Sequence, residues 1–390
     1  MVAGMNKVLA MSMDWDSAKS RLALEQQTIQ DIAAPLSEWE ADFEGNRFGL
    51  RRKSTSRFYA ATPWAMKQLA RVGKCREFDW MLEDARHPTS VDKMTGEKKV
   101  LFARDQRDAD LVKQYVNTQV FQGDRVDQDK QRLFRTWEDG TLRSVLSQHY
   151  QPVNNSWYMN TIQSMFPDSK IIRWRGNADT LQFDVHLPGI EVEGNDSGYG
   201  GILRIGNSEI GQKSVIAQLG VLRFICTNGM IVIDAIAGIR QRHMGDIDLI
   251  DLRSRVIDTV AQGLPNIEDE IQRTLGLKAY GVGDVPLSRI FAQLGMDYKI
   301  GKKHLAGVWG SWMTESEIVG PEVAQTAFGL QAAVTRFGQT LGNDGAHSFD
   351  LIGGELNQTD RPTWDRFLGR ASNMTDEMAK SRVGDAALVA

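Results

Sequence analysis

Two hydrophobic periods divide this chain. From Asp246 onward Val256, Val260, Leu264, Ile267, Ile271 and Leu275 recur at steps of three and four, the spacing of a helix face turned toward a core. Gly263 and Pro265 interrupt that stripe. Proline removes a helical hydrogen bond and crowds the preceding turn, so a break is expected there. Pro321–Leu341 reads as a further helix, with Pro321 at its start and Gly342 past its end. In the middle of the chain the period is two. Ile172 and Trp174 alternate with Arg173 and Arg175, and Leu181, Phe183 and Val185 alternate with Gln182, Asp184 and His186, around a turn at Gly176–Asp179. One face of this hairpin is apolar. The other carries two arginines, which either extend a phosphate-facing surface or pair with aspartates across the strands.

Other segments fit the same division. FRTWEDGTLRSVLS predicts a hairpin around Asp139–Gly140, GILRIG a strand, and VLRFICTNGMIVI a buried apolar run punctuated by Asn228–Gly229. KMTGEKKVLFA resembles a turn and short strand, and DADLVKQYVNTQVF a helix. The expected fold class is α+β: a central, mostly antiparallel sheet over residues 165–235 flanked by helices, with a helical C-terminal part. The expected organisation is an acidic, mobile, partly helical N-terminal arm (1–44), an α+β core (45–310) and a helical C-terminal region (311–390). No run of eighteen apolar residues is present, so no membrane span is expected. The opening MVAGMNKVLAMSMDWD lacks the apolar stretch of a secretory leader. Cys75 and Cys226 lie far apart and form no CxxC pair, which suits a reducing cytosol.

Charge sharpens this picture. The chain carries a net −4, yet Gly45–Arg76 holds nine Lys or Arg and no Asp or Glu. Residues 1–44 hold three cations and eight anions, and the segment from Thr314 onward six cations and eleven anions. A basic island between acidic flanks reads either as a phosphate-facing surface or as a surface that the acidic arm folds over and neutralises. Within the island, ATPWAMKQLARVG has a helix's punctuation: Thr62 to cap it, Pro63 at its first position and Gly73 to end it. At 100° per residue, Lys67, Arg71 and Lys74 fall within about 60° of one another, with Ala65, Leu69 and Val72 opposite. Cations at helical spacing can track a phosphate backbone, and nearby aromatics can stack on bases, although Trp64, Phe58 and Tyr59 serve equally as core. The candidate contacts are Lys67, Arg71 and Lys74 on the helix, Arg51, Arg52, Lys53 and Arg57 as a flexible clamp, Tyr59, Trp64 and Arg76 beside them, and Arg173 and Arg175 on the sheet.

Three segments carry a resemblance: Tyr150–Asn154 ("YxPxxN"-like), Asn207–Gly211 ("NSExG") and Arg223–Met230 ("RxxCTNGM"). In this order they resemble phage- and plasmid-related proteins of the YafZ-like type. A late segment, TDRPTWDRFLGRASNMTDE, departs from the usual form. The resemblance implies a product of a mobile element. By analogy of fold it points toward single-strand annealing proteins, and it assigns no chemistry to the motif residues.

Motifs for catalysis are missing. No GxxxxGK[ST], HExxH or GxSxG occurs, the loop GNDSGYGG precedes no clear helix, and Cys226 has no local His or Asn partner. No cofactor is called for. Asp246, Asp248 and Asp251 form a DxDxxD cluster that either holds Mg²⁺ together with a substrate phosphate or complements a helix N-terminus. Glu209 is a possible addition to such a site, while His243, after IRQR, either meets a phosphate or sits on the surface. The leading expectation is therefore a non-enzymatic protein that binds single-stranded nucleic acid as a homo-oligomer. The alternatives are a structural or host-interaction protein of a mobile element and a metal-dependent nuclease.

Overall fold

In the computed structural model the described residues are 12–45, 47–74, 106–124, 126–193, 198–224, 230–341 and 343–383. They form two sheets and a helical assembly, each with its own hydrophobic cluster. The fold is α+β.

The first sheet has six strands: β1 (Ile29–Pro35), β2 (Trp39–Glu44), β3 (Arg47–Arg52), β4 (Phe58–Ala61), β5 (Gln131–Trp137) and β6 (Thr141–Ser147), in the order β1-β5-β6-β4-β3-β2. All pairings are antiparallel except β4 with β6. Its core centres on Trp39, which stacks on Phe134 at 4.3 Å and meets Tyr59 edge-on at 5.4 Å. The β5–β6 hairpin turns at Asp139–Gly140, as its sequence predicts, with Gly140 at φ 87°.

The second sheet is antiparallel throughout: β7 (Lys170–Trp174), β8 (Thr180–Glu193), β9 (Gly198–Ser208), β10 (Val215–Phe224) and β11 (Met230–Gln241), in the order β11-β10-β9-β8-β7. This is the sheet expected over 165–235. The alternation in β8 decides its two faces. Leu181, Phe183 and Val185 pack with α1 (Trp15–Glu25), α4 (Asn155–Met165), α5 (Leu249–Gly263) and α6 (Ile267–Gly276). Between them, numbered in chain order, lie α2 (Pro63–Val72) and α3 (Gln106–Val116). The helical break at Gly263–Pro265 is present as a 3-10 turn, Leu264–Asn266, between α5 and α6.

The third cluster runs from Leu277 to Val383. It contains α7 (Leu287–Asp297), α8 (Lys302–Val319), α9 (Ala327–Gln339), α10 (Asn343–Asn357), α11 (Arg361–Ser372) and α12 (Asp376–Val383). The helix expected over 321–341 is split. A four-residue turn, Pro321–Ala324, precedes α9, and Thr326 caps α9 through Gly329 N.

Two organisational expectations require correction. Residues 1–44 are not simply an arm: Trp15, Ala18 and Leu22 are buried in the second cluster, and 29–44 supplies two strands of the first sheet. The β2–β3 hairpin straddles the expected boundary at 44, because Trp39, Ala41, Phe48 and Leu50 are shared core. The boundary at 310 falls inside α8, whose Leu305, Val308, Trp309 and Trp312 form one buried stripe. No helix among the described residues is long and apolar enough to cross a membrane.

Candidate nucleic-acid interface

The basic helix α2 forms as its punctuation predicts. Thr62 Oγ1 accepts from Ala65 N at 3.2 Å, Pro63 takes the first position, and Ala65, Met66, Leu69 and Ala70 are buried. Gly73 closes the helix in a right-handed conformation, and Lys74 takes the left-handed position after it at φ 53°. Arg71 lies in the last turn, where a cation complements the negative end of the helix dipole. Lys67 is half-buried, and Arg71 and Lys74 are exposed. No carboxylate among the described residues pairs with any of the three.

Two polar side chains fasten α2 to the rest of the protein. Trp64 Nε1 donates to Ile210 O at 2.8 Å, and Gln68 Nε2 donates to the same carbonyl at 3.2 Å. Gln68 Oε1 accepts from Val145 N at 2.8 Å. The helix thus sits on the seam between β6 and the turn after β9. Gly211 makes that turn at φ 76°, where a Cβ would approach Leu146 Cδ2 to 2.8 Å. The Lys67 ammonium and Arg71 guanidinium lie 5.9 and 5.7 Å from the Trp64 ring centroid, within cation–π range. An open groove of about 690 Å³ runs alongside, lined by Thr62, Pro63, Trp64, Lys67, Asp179, Gln212 and Lys213.

The rest of the predicted surface is otherwise employed. Arg51 Nε donates to Asp42 at 2.6 Å and Nη2 to Glu44 at 3.4 Å. Arg52 forks onto Glu38 at 2.9 and 3.1 Å. Lys53 Nζ donates to Ser37 O at 2.8 Å, and Arg57 Nη2 to Glu138 O at 2.5 Å. The clamp is therefore not flexible: antiparallel pairing of β2 with β3 sets an acidic strand beside a basic one, so self-neutralisation describes Arg51 and Arg52. Burial alone would raise the Asp42 carboxyl, but hydrogen bonds from Lys113 and Arg51 hold it below its ordinary value. Tyr59 is 4% exposed and belongs to the core around Trp39, so it is not a stacking platform. Arg76 lies outside the described residues, as do the expected strand in 93–103 and the Asn228–Gly229 turn with Cys226.

Arg173 and Arg175 do not extend a phosphate surface either. Arg173 is paired in register with Asp184, and the two form an ion pair at 3.7 Å. Their sheet face is covered by C-terminal helices: Arg204, fully buried, joins Asp184 to Asp350 of α10, each at 2.7 Å. Burial draws the Arg173 guanidinium down to about 10 against the pull of Asp184. Burial would also raise Asp184, yet the charge and hydrogen bonds of Arg204 hold it below its ordinary value. A second buried junction forms where Glu315 of α8 accepts from Arg336 Nε at 2.6 Å and Arg223 Nη1 at 3.4 Å.

A polar hub joins two of the sequence motifs. Glu209 is fully buried. Its Oε2 accepts from Arg143 Nη1 at 3.0 Å, and its Oε1 accepts from Asn155 N at 2.8 Å and Gln26 Nε2 at 3.2 Å. Arg143 also donates to Asp179 Oδ1 at 2.7 Å and Ala178 O at 2.9 Å, and stacks 3.6 Å over Trp137. Arg135 Nη1 donates to Glu209 O at 2.6 Å, and Tyr150 Oη to Ser208 O at 2.7 Å. Asn207 Nδ2 reaches Val153 O at 2.6 Å and Asn155 Oδ1 at 2.8 Å. The Tyr150–Asn154 and Asn207–Gly211 segments thus meet at the junction of the two sheets. Sequence reasoning treated Glu209 only as a possible metal ligand. Arg135 and Arg143, apparently polar positions in strands of alternating pattern, carried no local signal of burial.

Asp248 caps α5 through Ile250 N and Asp251 N, the helix-terminus role for this acidic cluster. Among the described residues no group of three His, Cys, Asp or Glu side chains is placed to hold a metal ion. His243 is buried and stacked on Tyr150 at 5.0 Å, away from a solvent-facing role. Comparison with known protein families, with curated proteins and with solved structures returned no match for this chain.

Proposed function

We propose that this is a non-catalytic, phage- or plasmid-borne protein that binds single-stranded nucleic acid through its phosphate backbone, along the cationic side of α2. The observation that carries the reading is the contrast within one basic island. Arg51 and Arg52 are matched by carboxylates, whereas Lys67, Arg71 and Lys74 have none among the described residues. Unmatched cations in line, next to a groove with an indole in its wall, supply the two elements that sequence-tolerant strand binding needs. Backbone contacts leave base edges free to pair, so strand annealing in recombination by a multimer in the bacterial cytoplasm is the sharper form of the proposal.

The test is fluorescence anisotropy of labelled single- and double-stranded oligonucleotides over a salt series. Three neutralised phosphates give a slope of log affinity against log salt near about −2 for a single strand. Affinity that ignores salt, or a tighter grip on the duplex, refutes the reading.

A further inference from the structure

The groove beside α2 has a composition that the helix alone does not explain. Its walls come from three segments distant in sequence: 62–67 at the start of α2, Asp179 in the β7–β8 turn, and 212–213 in the β9–β10 turn. Its volume, about 690 Å³, lies within the range of about 300–1,000 Å³ that small-molecule sites occupy. Lys67 stands on one wall and Lys213 on another. Lys213 Nζ lies 3.3 Å from Gln182 Oε1, which holds it at the groove. The apolar part of the lining is Pro63 and Trp64. The Trp64 N–H is already spent on Ile210 O, so the indole has its ring, and no donor, left to offer a ligand. Asp179 is backed by the buried Arg143 guanidinium at 2.7 Å. That guanidinium is shared with the buried Glu209, and the one-third-exposed Asp179 side chain can still accept hydrogen bonds.

We infer that this groove seats a single nucleotide unit of the bound strand: one phosphate between Lys67 and Lys213, and the attached base against Trp64. The inference rests on the strand-binding reading above and extends it across the seam between the two sheets. The strand leaves the line of Lys74, Arg71 and Lys67 and enters the groove, so the β9–β10 turn becomes part of the contact.

The experiment combines two measurements on the full chain. Oligonucleotides carrying one 5-iodouracil are photocrosslinked and the adduct is mapped by mass spectrometry. In parallel, the salt slope of binding is compared between the unaltered protein and Lys213→Ala, with unchanged circular dichroism as the folding control. The seat predicts a crosslink on Trp64 and a shallower slope, by up to about 0.7, the whole contribution of one phosphate on a single strand. Steep binding with crosslinks mapping elsewhere, or with an unaltered slope in the variant, overturns the seat while leaving strand binding intact. Absence of salt-dependent binding by the unaltered protein overturns both.

Discussion

Replacing Glu209 tests whether the hub holds the two sheets together. In Glu209→Ala the Arg143 guanidinium stays fully buried but loses one of its two carboxylates, and Asn155 N loses its acceptor. Removing one partner of a buried ion pair costs about 3–5 kcal/mol, because the remaining charge is uncompensated. Asp179 still contacts Arg143, which places the loss near the lower end, about 3 kcal/mol. Glu209→Gln keeps the volume, but its amide nitrogen must face either Arg143 or Asn155 N, both donors. It should recover less than half of the loss. The assay is urea unfolding followed by tryptophan emission. With a slope of about 3 kcal/mol/M, the alanine variant shifts its midpoint down by about 1 M. A shift under about 0.3 M at unchanged slope would refute the hub as a source of stability.

Other outcomes follow from the same structure. Lys74→Gly should raise stability by about 0.5–1 kcal/mol, since glycine adopts the left-handed backbone at this position without the Cβ penalty; a lower urea midpoint would contradict this. Asp350→Asn removes one of the two carboxylates on the buried Arg204 and should cost about 3 kcal/mol, with amide exchange rising first in α10. Burial holds both His186 and His243 below the ordinary 6.5. The unfolded chain then binds more protons than the folded one, so stability falls as pH drops below about 6.5. His243→Gln should flatten part of that decline, and an unchanged pH profile would show that His243 does not contribute.

Local grammar was legible in the sequence and long-range partnership was not. The caps of α2, the turns at Asp139–Gly140 and Gly176–Asp179 and the break at Gly263–Pro265 depend on residues within a few positions of one another. The fold class followed from the two periods. The β5–β6 hairpin of the first sheet was legible, but β1 and β2 were missed because IQDIAAP and WEADFE look acidic and mixed, and their apolar residues become a core only beside β3 and β5. The carboxylates that match Arg51 and Arg52 lie up to fourteen positions upstream, Asp42 and Glu44 in β2 and Glu38 in the 3-10 turn before it, elements that the sequence did not announce. Arg204 is more extreme, since Asp350 lies 146 positions away. The basic side of α2 was legible because amphipathy is a property of the helix itself, whereas the groove draws Asp179 and Lys213 from remote turns.

The central claim is that Lys67, Arg71 and Lys74 form a seat for a polyanionic strand. Its most direct test is the affinity of a single-stranded oligonucleotide for the Lys67→Ala/Arg71→Ala/Lys74→Ala protein at low and moderate salt, with folding verified by unchanged circular dichroism. The account predicts that affinity collapses at low salt and that its salt dependence flattens. A folded triple variant that binds as tightly and as steeply as the unaltered protein would contradict it.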